Sequence, residues 1–169
     1  MIIRVSELED EGLTVDAPSA LGRTFSDPAW RLDRLQLRVA PDGPDVMVQG
    51  SLTATVPQTC SRCAESFPAR IDAEVDLRLE PRPASGDTVE LGRDDLDVDF
   101  YTDDQIDLRR VVENETTLAL PMKPLCTDDC RGLCPVCGAN RNLNPCVCDQ
   151  RPPDPRLAAL REFRARLTS

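Results

Sequence analysis

The chain has 169 residues, a net charge of −10 at pH 7, and only 4% aromatic residues. That length suits one core with a small appendage and argues against two full domains. The acidic balance and the scarcity of rings argue against a broad RNA-binding face built on stacking platforms, and with no histidine the commonest general base is missing.

The charge is unevenly placed. Between Asp72 and Glu115 there are fifteen acidic and five basic residues, which accounts for the whole excess of −10. Such a segment repels nucleic acid and suits a solvated face or a docking surface for a basic protein. The tail from Arg151 to Ser169 is locally basic. The N-terminus MIIRVSELEDEGLTV carries acids where a secretion signal needs an unbroken apolar run, and no stretch approaches transmembrane length. The expected location is therefore the cytoplasm. In that reducing compartment eight cysteines point to metal ligation or redox chemistry before structural disulfides.

Along the chain, IIRVSEL near the start is a candidate strand. Alternation of period two then recurs at Leu35, Leu37 and Val39, at Val46, Val48, Gly50, Leu52, Ala54 and Val56, and at Phe67, Ala69, Ile71, Ala73, Val75, Leu77 and Leu79. These predict half-buried strands. PDGPD over 41–45 predicts the turn of a hairpin between the first two. PQTCSRCAES joins the second and third, so Cys60 and Cys63 are expected at a hairpin tip. PRPASGDTVELGRDD is expected to be an exposed loop, and LDVDFY a short strand. In DDQIDLRRVVENETTLAL, Ile106, Val111, Val112 and Leu118 fall at roughly helical spacing, with Thr102 or Asp103 as N-cap and Pro121 as terminator. Leu157, Leu160, Phe163 and Leu167 form an apolar stripe suited to a terminal helix or to a segment that folds on a partner.

The predicted class is α+β: a mainly antiparallel sheet with a packed helix and a C-terminal Cys-rich zinc module. The expected divisions are a β-rich domain with one helix over 1–120, a zinc-binding module over 121–150, and a helix or tail over 151–169.

The eight cysteines form four close pairs: Cys60 and Cys63 (C-x2-C), Cys126 and Cys130 (C-x3-C), Cys134 and Cys137 (C-x2-C), and Cys146 and Cys148 (C-x-C). Each pair can clamp one edge of a tetrahedral zinc site. In CPVCG, the glycine after the second cysteine lets backbone N–H groups turn towards the sulfurs. The preferred grouping puts Cys134, Cys137, Cys146 and Cys148 in one site and Cys60, Cys63, Cys126 and Cys130 in another, tying the hairpin tip to the later segment. A single six-cysteine cluster without the hairpin pair satisfies the same spacings. All-cysteine sites are closed, which makes the expected zinc structural. An iron–sulfur cluster is allowed by ligand type but suits the C-x-x-C edges with adjacent glycine less well. A redox role for SRCAE is weaker, because this segment lies between strands and does not open a helix.

No phosphate-cradling glycine loop or G-x-S-x-G motif is present. The acidic pairs Asp94 and Asp95, and Asp103 and Asp104, read as loop charges. The expectation is a protein without enzymatic activity.

VQGSLTATVPQTCSRCAESF, then DLRRVVENETTLALPMKPLCTDDCRGLCPVCGANRNLNPCVC, then DPRLAAL resemble the YceD family, the large ribosomal RNA subunit accumulation proteins. The resemblance covers most of the chain from the second long strand onward, and its LALPMKPLC…GLCPVCG run is its most specific part. It implies a non-enzymatic factor that supports large ribosomal subunit assembly through synthesis, processing or accumulation of its RNA. The implied target is precursor large-subunit RNA, while the acidic segment suggests a basic large-subunit ribosomal protein as partner; no membrane and no small-molecule substrate is expected. Direct RNA contact would fall to Lys123, Arg131, Arg141 and the tail arginines. Ala64 departs from the leucine that usually follows C-x-R-C in the family. Two rivals stand beside this reading: a zinc-dependent nucleic-acid-binding regulator, which needs a basic recognition helix, and a thiol redox sensor.

Overall fold

The computed structural model describes residues 1–82, 98–144, 146–148 and 156. The chain divides into two compact units. The first comprises Met1–Gln58 and Ser66–Pro124, and the second Thr59–Glu65 and Leu125–Ser169.

The first unit is α+β. Its strands are β1 (Ile2–Arg4), β2 (Leu13–Val15), β3 (Arg31–Asp42), β4 (Asp45–Thr59), β5 (Ser66–Pro81), β6 (Val98–Tyr101) and β7 (Gln105–Asp107), followed by the helix α1 (Leu108–Leu118). Strands β2 to β6 form one sheet in chain order, and β1 pairs with β7 in a second. The β2–β3, β3–β4 and β1–β7 pairs are antiparallel, while β5–β6 is parallel. The architecture is thus mainly antiparallel.

The alternating residues supply the core. Leu37, Val39, Val46, Val48, Ala54 and Val56 are completely shielded from solvent, with Leu35, Leu52, Ile71, Val75 and Leu79 beside them. Asp42 pairs with Asp45 across the hairpin turn, and Gly43 takes a positive φ of 64° there. Within β4, Gly50 has φ 149°, and a Cβ at that position would come within 1.9 Å of the Gln36 carbonyl oxygen. The strands approach too closely for a side chain, so this member of the apolar stripe is a glycine by necessity. Asp45, 5% exposed, accepts a 2.9 Å hydrogen bond from Arg78 Nε, which compensates the burial of its charge.

The helix is shorter than its sequence pattern suggests. Ile106 lies on β7, and Leu118 is 79% exposed. Asp103 and Asp104 hold φ values of 55° and 59°, reversing the chain so that Thr102 faces Gln105. Short acidic side chains tolerate that backbone, and the reversal spends on a turn the residues expected to cap a helix. The N-cap is Asp107 instead, whose carboxylate accepts from the Arg109 backbone N–H at 3.2 Å. Leu108, Val111, Val112 and Thr116 form the buried stripe, and α1 lies against β5.

Strand β2, the β1–β7 pairing and the parallel β5–β6 pairing have no counterpart in the sequence reading. The expected loop after Glu80 lies outside the described residues from 83 onward, as do Asp94, Asp95 and the expected terminal helix. Among the described residues no helix is long and apolar enough to cross a membrane.

Candidate metal centres

Between the ends of β4 and β5 the chain turns through Cys60-Ser61-Arg62-Cys63-Ala64-Glu65. The turn is closed by two backbone bonds: Ala64 N–H donates to the Cys60 carbonyl at 2.9 Å, and Cys60 N–H to the Glu65 carbonyl at 2.9 Å. Seventy-four residues later the same device recurs. Gly138 N–H donates to the Cys134 carbonyl at 2.9 Å, and Cys134 N–H to the Ala139 carbonyl at 2.8 Å. Each turn needs a left-handed residue directly after its second cysteine: Gly138 at φ 72° and Ala64 at φ 59°. These are two copies of one cysteine knuckle, which the two segments do not advertise by overall similarity.

The structure gathers the eight cysteines into two groups of four. In one, the sulfurs of Cys60, Cys63, Cys126 and Cys130 lie within 4.8 Å of one another; in the other, those of Cys134, Cys137, Cys146 and Cys148 do. The Cys60–Cys130 and Cys63–Cys126 separations are both 3.7 Å. Four sulfurs ~2.3 Å from a tetrahedral ion stand about 3.8 Å apart, so these edges fit a single ion. All eight cysteines are free thiols. Both groups could hold a metal.

Side chains outside the ligand set brace the first group. Arg62 Nη1 donates to the carbonyls of Asp128 and Cys130, each at 3.1 Å. Asn142 donates its amide to Cys130 Sγ at 3.2 Å and accepts from Arg131 N–H at 2.8 Å. Asn140 reaches Glu65 Oε1 at 3.2 Å. Leu133 N–H donates to the Arg62 carbonyl at 3.0 Å, and a Cβ on Gly132 would come within 2.9 Å of that same oxygen. Arg62, Asn140 and Asn142 carry no sequence signature. Their roles depend on which loops meet, although Asn140 and Asn142 do belong to a turn-forming composition.

Proton affinities within each group diverge, as expected where like charges crowd. Burial pushes Cys60 up, but N–H groups of Cys126, Cys63 and Arg62 outweigh it and lower the thiol to about 6. Cys63 gains from the Glu65 N–H, yet burial and the thiols of Cys60, Cys126 and Cys130 leave it raised to about 12. The Asn142 amide lowers Cys130, and burial raises Cys126. In the second group, N–H groups of Cys137 and Val136 lower Cys134 to about 6, while its neighbour Cys137 raises Cys148 to about 12. Cys134 likewise raises Cys146.

Arg131 and Arg141 are exposed on the second unit, where Arg141 N–H donates to the Gly132 carbonyl at 2.9 Å. Lys123 is exposed and belongs to the first unit. Of the tail arginines only Arg156 is among the described residues, and it is exposed.

The family described as "Large ribosomal RNA subunit accumulation protein YceD" matches residues 48–164. Uncharacterized proteins of Mycobacterium tuberculosis and Mycobacterium bovis are each 33% identical over 160 residues, covering 93% of this chain and 73% of theirs. A Zea mays protein named as a chloroplastic large ribosomal RNA subunit accumulation protein YCED homolog is 27% identical over 177 residues, covering 88% of this chain and 57% of its own. No solved structure is a significant match.

Two outcomes follow from the knuckles. Ala64 bears a left-handed strain of about 1 kcal/mol that glycine relieves, so Ala64→Gly will raise the thermal midpoint of the metal-loaded protein and slow metal loss to a chelator. Gly138→Ala, with open space around its new Cβ, will do the reverse. Opposite or null shifts in both would show that the turns are not what holds the sulfurs.

Metal loading will also release protons. Near neutral pH without metal, Cys60 and Cys134 are ionised, whereas Cys63 and Cys148, raised to about 12, keep their protons; Cys126 and Cys146 are shifted the same way. A calorimetric titration in buffers of different ionisation enthalpy will read at least about two protons per ion. Because Cys60 and Cys134 are lowered, their contribution holds above the ordinary thiol range and fails as pH falls through about 6, so acidification will expel metal. Loading without proton release would contradict this.

Proposed function

This chain belongs to the YceD family of large ribosomal RNA subunit accumulation proteins, and on that premise we propose that it is a non-enzymatic factor supporting assembly of the large ribosomal subunit. It acts in the cytoplasm, on the synthesis, processing or accumulation of the subunit's RNA. The observation that carries this reading is the family match over residues 48–164, a span that contains all eight cysteines.

In this reading each four-cysteine group binds one zinc ion. Zinc suits closed, four-thiolate tetrahedra that follow C-x-x-C knuckles, and such sites supply folding energy instead of an open coordination position. Cys60, Cys63, Cys126 and Cys130 hold one ion, and Cys134, Cys137, Cys146 and Cys148 the other. The metal's part is to fix the loops; the closed ligand sets, in a chain without histidine, support the absence of catalysis. Zinc thereby rigidifies a module over 121–150 that has too small a core of its own.

Partner choice follows the charge. Asp72, Glu74, Asp76, Asp99 and Asp103 are exposed, which favours a basic large-subunit ribosomal protein as the docking partner. Contact with precursor RNA, where it occurs, uses Lys123, Arg131 and Arg141. A DNA-binding regulator fits less well: α1 carries Glu113 and Glu115 as well as Arg109 and Arg110, and presents no basic recognition face.

The test is crosslinking of the tagged full-length protein in its own cells, with RNA sequencing and protein identification across a ribosome gradient. Precursor large-subunit RNA or large-subunit ribosomal proteins will be enriched in fractions lighter than mature ribosomes. Enrichment of DNA, or of neither ribosomal class, would overturn the assembly role.

A further inference from the structure

The two cysteine groups differ in how far solvent can reach their sulfurs. In the first, Cys60, Cys63 and Cys130 are 2%, 3% and 5% exposed, and Cys126 is half-buried. In the second only Cys134 is buried, at 6%; Cys146 is half-buried, and Cys137 and Cys148 are exposed. The residues beside those two thiols shield little: Val136 is 53% exposed and Val147 102%. The first group is further closed by Arg62 and Asn142, whose bonds cross its loops.

Thiolate oxidation is selected by access as much as by ionisation. We propose that the second group is a site of reversible oxidative modification, where a peroxide joins Cys137 to Cys148 and one metal ion leaves while the first group keeps its own. The inference rests on the reading that both groups hold a divalent metal, and it adds regulation to that reading.

The step balances. The two metal-bound thiolates give up two electrons and form one S–S bond. The peroxide O–O bond breaks, and hydrogen peroxide takes those electrons with two solvent protons to become two waters. The metal departs as the divalent ion, leaving Cys134 and Cys146 as free thiols or thiolates, too few to retain it in a closed tetrahedron. All four sulfurs lie within 4.8 Å of one another, so the bond needs only a local movement of exposed loop residues. A dithiol reductant returns two electrons and two protons, and the site can refill. Cys134 is the poorer target, being buried and having backbone N–H groups of Cys137 and Val136 directed at its sulfur.

The experiment uses the full chain loaded with zinc, with two ions per chain verified by native mass spectrometry before treatment. One equivalent of hydrogen peroxide is added, released zinc is read with a chromogenic chelator, and thiols are mapped by differential alkylation. One ion per chain will leave, at least about ten times faster than the second. Cys137 and Cys148 will become resistant to alkylation until dithiol is added, while Cys60, Cys63, Cys126 and Cys130 stay reduced. Cys137→Ser and Cys148→Ser variants will retain the ion of the first group under the same peroxide treatment. Release of both ions at one rate, earlier loss from the first group, or retention of both ions under excess peroxide would overturn the inference. A chain that never loads two ions would instead overturn the metal reading beneath it.

Discussion

Four sulfur atoms within 4.8 Å of one another cannot all ionise unaided, because each new thiolate raises the cost of the next. In each group backbone N–H groups lower one thiol to about 6, while burial and the neighbouring thiols raise another to about 12. Only a cation can make all four thiolates stable together, and a divalent ion does so while leaving a modest net charge. The second unit therefore carries an electrostatic frustration that a bound metal ion would resolve. Its other bonds, the Arg62 and Asn142 braces among them, arrange the loops around that requirement.

The two knuckles show how the backbone meets it. A short turn fixes the first cysteine of each C-x-x-C pair by a bond in each direction, so N–H groups point at sulfur before any metal arrives. One turn uses glycine for its left-handed residue and the other uses alanine, with the same geometry. The long hairpin of β4 and β5 carries one knuckle at its tip, and the chain between residues 66 and 125 must return before the second half of the first group can form. Closing a loop of that length costs several kcal/mol of chain entropy, an expense the metal–sulfur bonds can offset.

Much of this is legible from residue order. Strict alternation at Leu35–Val39, Val46–Val56 and Ile71–Leu79 marks β3, β4 and β5 because one face of an antiparallel sheet must be apolar; ligand spacing favours two groups of four cysteines but also admits a six-cysteine cluster, and the structure brings together the two groups. What is not legible depends on long-range meetings or on two- and three-residue elements. β1, β2 and β7 are three residues each, too short to show a period. Asp103 and Asp104 resemble the start of a helix until their left-handed backbone turns the chain, which moves the cap to Asp107. Ala64 gives no hint of its positive φ, since alanine is not the residue expected there. The unequal exposure of the two cysteine groups is likewise a property of packing, with no trace in the ligand spacing.

The site and the proposed function meet in one claim: two closed, all-thiolate zinc sites hold the cysteine-rich unit together. The most direct test is X-ray absorption at the zinc edge on the full-length protein, with zinc per chain measured on the same sample. The account predicts two ions per chain, each with four sulfur neighbours at ~2.3 Å and no nitrogen or oxygen in the inner shell. One ion per chain, or an oxygen or nitrogen ligand in place of sulfur, would contradict it.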